Sequence, residues 1–320
     1  MRSRSGRSSR FERASPRITD FRPVIEERRP GFIDAHLHCW DPARLSMKWL
    51  DETPVLNRPC ELPTYVADLG RGGLTLEGAI LVESAVDDAS LEAELEWLVE
   101  QVAKPGPVLA AVSGWRPTAG EAASRHRFEA IEDAPGVVGV RQVMHGPDWS
   151  AEDLQDRRLS LALREAGRRG LVVELCVRPD QLVAVVGLAA SAPETTVVLD
   201  HLGRPRTASP IDPNWNDVLG RLAELPNVMT KMSGLVECSD GGGWSTERFR
   251  PFVDVAIGHF GADRVLWGGN WPLCRLGGSL ERWLEATAAI LASASPGERD
   301  AILGGNTRRV YGLPSDSKAV

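Results

Sequence analysis

Short apolar runs, each followed by a polar turn and most by a helical pattern, recur eight times between residues 32 and 268. That alternation limits the fold more than any other feature of the chain. After the opening run at Phe32-Ile33, the others fall at residues 79–83, 108–112, 137–143, 171–177, 195–201, 227–232 and 264–268. They are nearly continuous in apolar character rather than alternating, the pattern of strands buried on both faces in a parallel sheet covered by helices. The run at 195–201 is also rich in β-branched residues, which favour strands. Residues 88–102 carry Leu91, Leu95, Leu98 and Val102 at helical spacing, 159–168 read as a helix closed by Gly170, and 251–260 and 280–292 repeat the pattern. Residues 42–75, with Trp49, Pro54, Pro59 and Pro63, read as a long irregular insertion. Eight such units close most economically as a single-domain (β/α)8 barrel, a TIM-type α/β fold. An open doubly wound sheet is the alternative, but no glycine-rich phosphate loop follows the first strand.

Charge and composition narrow the functional classes. The 320 residues are 42% hydrophobic and 25% charged, and no apolar run is long enough to span a bilayer. The net charge of −7 is unevenly placed: residues 1–30 carry nine arginines against four acids, and the remainder is strongly acidic. That balance argues against a nucleic-acid-binding body. Residues 1–30 lack the apolar core of a secretory signal and read as a disordered Arg/Ser-rich tail, 31–313 as the barrel, and 314–320 as a short C-terminal tail. The five cysteines (39, 60, 176, 238 and 274) are odd in number and scattered, which suits reduced thiols in a cytoplasmic protein.

Barrels of this type place their active sites at the C-terminal ends of the strands. The residues standing where the apolar runs stop are His36, His38, Glu83, Trp115, Arg141, Glu174, His201, Lys231 and Asn270. His36 and His38 are two apart on a strand, so both imidazoles address one point, as a divalent metal or a polarised carbonyl requires. Taken singly, Glu83 and Glu174 suit solvated strand ends, Arg141 a structural ion pair, and Trp115 and Trp271 core packing. Convergence on one mouth is what gives them meaning.

The segment Asp34-Ala35-His36-Leu37-His38-Cys39-Trp40-Asp41-Pro42 resembles the opening motif of the amidohydrolase superfamily, in its amidohydrolase 2 branch. Within that branch it is most similar to the sugar-acid lactonases, which include L-fuconolactone and L-rhamnonolactone hydrolases and relatives acting on pyrone-dicarboxylate and muconolactone-type rings. The likeness continues in order through Leu81-Val82-Glu83, Gly139-Val140-Arg141, Val198-Leu199-Asp200-His201-Leu202-Gly203-Arg204-Pro205, Thr230-Lys231-Met232-Ser233-Gly234-Leu235 and Gly268-Gly269-Asn270-Trp271-Pro272, covering about residues 31–313. It implies an enzyme that opens the lactone ring of a sugar acid or related cyclic ester. By the same resemblance, His36, His38 and His201 line the carbonyl site and, in metal-using members, ligate zinc or a similar ion; no organic cofactor is implied. Arg141 and Lys231 would bind the substrate's carboxylate or hydroxyls, and Trp115, Trp244 and Trp271 would wall the pocket.

The departure is Asn270, where the family usually carries an Asp that acts as base and sometimes as metal ligand. An amide cannot take up a proton and is a poor zinc ligand, so both assignments stay open. Glu83 and Glu174 become candidates for a substitute base. Two further readings remain: a decarboxylase or hydratase of the same branch, and a catalytically impaired barrel that binds a sugar lactone. The expected partner is a small-molecule lactone rather than nucleic acid or membrane, with assembly into a homo-oligomer left open.

Overall fold

In the computed structural model of the chain, residues 31–70, 74–239 and 243–314 are described. The tail expected over 1–30, and all but the first residue of that over 314–320, lie outside them. All eight expected strands are present: β1 (Gly31–Leu37), β2 (Thr75–Val82), β3 (Val108–Gly114), β4 (Val137–Val143), β5 (Val172–Cys176), β6 (Val197–Leu199), β7 (Val228–Met232) and β8 (Val265–Trp267). They form one sheet in chain order, each neighbouring pair parallel. The segment following β8 then returns to β1. Asn270 N donates to His36 O and His38 N donates to Trp271 O, both at 2.8 Å, which closes the sheet into the expected (β/α)8 barrel.

Two apolar layers explain why the strands are apolar throughout. The barrel interior is filled by Ala35, Ile80, Val82, Ala110, Val112, Val172, Val198, Met229 and Leu266, with Tyr311 packed among them. The opposite faces pack on the surrounding helices. In Arg157–Arg168, for example, the buried residues are Leu159, Ala162, Leu163 and Ala166, a single helical stripe, and Asp156 caps the start by accepting from Arg158 N.

Two expectations are corrected. The insertion at 42–75 is not irregular throughout: it holds the turns Lys48–Glu52 and Pro54–Leu56 and a helix at Leu62–Asp68, with Leu50, Leu56 and Tyr65 buried. Pro63 sits in that helix's first turn, where the missing N–H has no partner to lose. The sixth strand stops at Leu199 instead of continuing to residue 201. His201, Leu202, Gly203 and Arg204 all have positive φ, from +54° to +70°, so the chain turns sharply at the barrel mouth.

Asp34 holds the closure from below. Its Oδ1 accepts from His36 N at 2.9 Å and from Gly269 N at 2.8 Å, and its Oδ2 accepts from Tyr65 Oη at 3.0 Å. Asp34→Ala should therefore cost about 2–4 kcal/mol in urea unfolding, because three buried donors lose their acceptor. A loss below about 1 kcal/mol would show that closure does not depend on this carboxylate.

Candidate active site

The inward positions that follow the apolar floor carry charge. On β5 and β7 the residues two beyond Val172 and Met229 are Glu174 and Lys231, which share their strand faces, and Asp200, two beyond Val198, directly follows the end of β6. All three are fully buried. Lys231 Nζ lies 2.5 Å from Glu174 Oε2, 2.9 Å from His36 Nδ1 and 3.5 Å from Asp200 Oδ1. Glu174 also accepts from the Tyr311 hydroxyl. Arg141 bridges Asp200 Oδ2 and Glu83 Oε1, each at 2.7 Å, while Glu83 Oε2 accepts from Ala85 N at the same distance.

The charges set the protonation of their neighbours. Burial pushes the Asp200 carboxyl up, but Lys231, Arg141 and His201 outweigh it and hold it below the usual carboxylate range. Burial raises Glu174, with Lys231 opposing. Burial lowers His36 and His201 well below their ordinary values, with Lys231 contributing at His36. His38 falls to about 4, chiefly through burial and Arg141. All three imidazoles are neutral at neutral pH.

The histidines form one cluster, with ring centres 4.8 Å apart for His36–His38 and 4.5 Å for His36–His201. Each is oriented differently. His38 Nδ1 lies 3.0 Å from Val82 O, so Nδ1 carries the hydrogen and Nε2 is the free acceptor. His201 Nδ1 lies 2.8 Å from Ser233 Oγ. This close approach requires Gly234, with φ +71°, because a Cβ there would fall 2.4 Å from the His201 ring.

Above the cluster opens a cavity of about 650 Å³. His38, His201, Arg141 and Asn270 reach it, together with Gln142, His145, Cys176 and Arg204. Its aromatic walls are Trp40, Trp49 and Trp149, not the tryptophans expected from the sequence. Trp115 is buried against Phe128 at 5.8 Å. Trp244 stacks on Phe249 at 4.9 Å and donates to Gly277 O. Trp271 packs on Tyr65 at 5.7 Å and donates to Asp68 Oδ2 at 2.7 Å. All three therefore pack into the body of the fold, while the insertion between β1 and β2 supplies Trp49.

Residues 33–313 match the amidohydrolase family model. The chain belongs to the amidohydrolase family. An L-fucono-1,5-lactonase from Burkholderia multivorans is 28% identical over an alignment that covers 90% of this chain and 98% of that one. A 4-sulfomuconolactone hydrolase from Rhizobium radiobacter is 34% identical over 99 residues, 29% of this chain and 30% of that one. A crystal structure of a B. multivorans amidohydrolase with zinc bound superposes with a TM-score of 0.78 at 25% identity, covering 88% of this chain and 99% of that one.

Amidohydrolases commonly use a divalent metal, and this one has donors that suit it. His36, Asp200 and His201 offer ligand atoms within 4.8 Å of one another. His36 Nε2 and Asp200 Oδ1 are buried without hydrogen-bond partners among the described residues. Two imidazoles and a carboxylate are a fitting set for zinc, leaving a coordination position for substrate or water. The set differs from the expected His36, His38 and His201: Asp200 joins it, and His38, tethered to Val82 O, falls outside it.

The expected substitute bases are both engaged in this amidohydrolase. Glu83 is held by Arg141 and Ala85, Glu174 by Lys231 and Tyr311, and neither lines the cavity. Arg141 and Lys231, expected to bind substrate, instead form these internal ion pairs, although Arg141 still reaches the cavity. Asn270 Nδ2 donates to Glu237, and Asn270 Oδ1 has no partner among the described residues. Sequence reasoning missed Asp200 and Glu237 as site residues. Asp200 had a readable signal, its place two beyond Val198; Glu237 sits in an irregular segment and had none.

Below the mouth, Glu94 is 1% exposed, with Oε1 accepting from Ser84 N at 2.6 Å. Burial pushes its carboxyl up from 4.5 to about 8, and Glu83 adds to the shift. Between those values the folded chain keeps a proton that the unfolded chain has released, so stability falls as pH rises through that window. That contribution should vanish in Glu94→Gln, neutral throughout, so the thermal midpoint of the variant should gain on that of wild type as pH rises from about 5 to 8. Parallel profiles for the two proteins would contradict this.

Proposed function

We propose that the chain is a lactone hydrolase acting on a sugar-acid lactone or a related cyclic ester. The observation that carries this reading is the meeting of two neutral, differently oriented imidazoles, His38 and His201, with Asn270 at the floor of one ligand-sized cavity. The L-fucono-1,5-lactonase likeness over nearly the whole chain supports it.

Water adds to the ring carbonyl while His38 Nε2 accepts its proton. The Val82 carbonyl fixes the tautomer that leaves this nitrogen free. With Ser233 Oγ donating to His201 Nδ1, His201 Nε2 carries a hydrogen and donates to the carbonyl oxygen as it becomes an oxyanion. Asn270 cannot take a proton, but its free Oδ1 can orient the attacking water, since Glu237 fixes the other end of the amide. The ring C–O bond then breaks, and His38 returns the proton to the departing oxygen, giving a hydroxy acid. Were a divalent ion held by His36, Asp200 and His201, it would take a His201 lone pair and polarise the carbonyl in place of that hydrogen bond. Arg141 and Lys231 contribute positive potential while their own ion pairs hold them in place.

A pH-indicator screen against aldonolactones and other cyclic esters, with metal analysis of the same preparation, tests the reading. At least one lactone should be opened well above its spontaneous rate. Failure on every ring in the panel would overturn it.

A further inference from the structure

Three arginines line the cavity, and two have their donors occupied. Arg116 bonds to Asp88 Oδ1, Trp115 O and Val86 O, and Arg141 to Asp200 and Glu83. The Arg204 side chain makes no hydrogen bond or ion pair among the described residues. Its surroundings do not balance its charge by contact. Glu237 is near enough to be felt electrostatically but makes no hydrogen bond to Arg204, its Oε1 accepting from Asn270 Nδ2 and its Oε2 having no partner among the described residues, and the other nearby cation is Arg141. His145, also on the cavity wall, is driven neutral by burial and by Arg204 and Arg141. Of the cavity's aspartates, Asp87 binds Ser46 and Asp88 binds Arg116, and Asp148 is exposed at the rim.

The backbone that carries the guanidinium is fixed. Arg204 ends the run of four residues with positive φ, itself at +56°. That run is fixed by His201 on Ser233, by Leu202 O accepting from the buried Trp215 Nε1 at 2.8 Å, and by Arg204 N donating to His201 O at 2.8 Å. Backbone in this region persists only where the surroundings enforce it, and it recurs at ligand clamps. An arginine held half-buried in a cavity, with no carboxylate hydrogen-bonded to it among the described residues, is a fork of donors shaped for a carboxylate.

We propose that Arg204 is an anion-binding residue of this cavity and that the substrate is a lactone bearing a free carboxylate rather than a neutral sugar lactone. The substrate class rests on the lactonase reading; the anion site does not. A carboxylate seated on Arg204 would anchor the ring in the cavity that His38 and His201 also line.

The test separates the two. Calorimetry would measure binding of 3-oxocyclopentane carboxylate, a ring ketone that cannot be hydrolysed, and of its carboxamide, to wild type, Arg204→Gln and Arg204→Lys. Wild type should bind the acid about tenfold or more tightly over the amide, Arg204→Gln should lose that preference, and Arg204→Lys should keep part of it. With the matching lactone carboxylate as substrate, Arg204→Gln should raise KM more than it lowers kcat. Equal binding of acid and amide by wild type, no measurable binding of the acid, or an unchanged preference in Arg204→Gln would each overturn the proposal. Preferential binding of the acid without hydrolysis of any lactone would leave the anion site standing and remove the lactonase reading. Hydrolysis without acid preference would do the reverse.

Discussion

Lys231→Met should be the most destabilising single substitution in the barrel interior, at about 3–5 kcal/mol, because it strands two buried carboxylates. The ammonium is fully buried, 2.5 Å from Glu174 Oε2 and 3.5 Å from Asp200 Oδ1. Met fills similar volume, so packing changes little and the loss reports the electrostatics. Asp200 keeps Arg141, but Glu174 keeps only the Tyr311 hydroxyl. Glu174→Gln in the Lys231→Met background should therefore recover part of the loss, about 1–3 kcal/mol of coupling. Chemical denaturation of the four proteins of that cycle measures it. Additive effects, or a single-variant loss under about 1 kcal/mol, would mean that the buried pair does not hold the site together.

The largest effect on catalysis is expected at His201. Asn is the informative replacement, since it tolerates the positive φ of +57° at this position better than most side chains do. His201→Asn should keep the fold while withdrawing the donor aimed at the developing oxyanion. Removing one such donor typically costs about 10² to 10³ in kcat. The comparison is kcat/KM for the best lactone in the panel, alongside thermal midpoints to confirm that the fold is intact. A loss smaller than about fivefold with an intact fold would take His201 out of the chemistry.

The fold was legible because its determinants are local and repeated. Strands buried on both faces write themselves as continuous apolar runs, and each run ends at a polar residue that the barrel topology carries to one mouth. The β6 boundary was not legible. Residues 195–201 look like one strand, and the turn inside them depends on anchors far along the chain, Ser233 and Trp215. Asp34 lay within the motif read from the sequence, but its role rests on Gly269, 235 residues away. The tryptophans misled for a related reason. A ring beside a strand end can pack among helices or face the mouth, and Trp115, Trp244 and Trp271 do the first. Arg141 and Lys231 were legible as inward-facing cations, but the carboxylates that engage them lie on other strands, so their freedom to meet a ligand could not be read. Arg204 was visible in the sequence too, and only the lack of a side-chain partner among the described residues makes it notable.

The most direct test of the central claim is hydrolysis in ¹⁸O-labelled water, followed by mass spectrometry of the product and by proton release. Water addition to a ring carbonyl predicts one ¹⁸O in the new carboxylate and one proton released per ring opened, with no carbon dioxide. Release of carbon dioxide, or a product without the label, would contradict a hydrolase that works through His38 and His201.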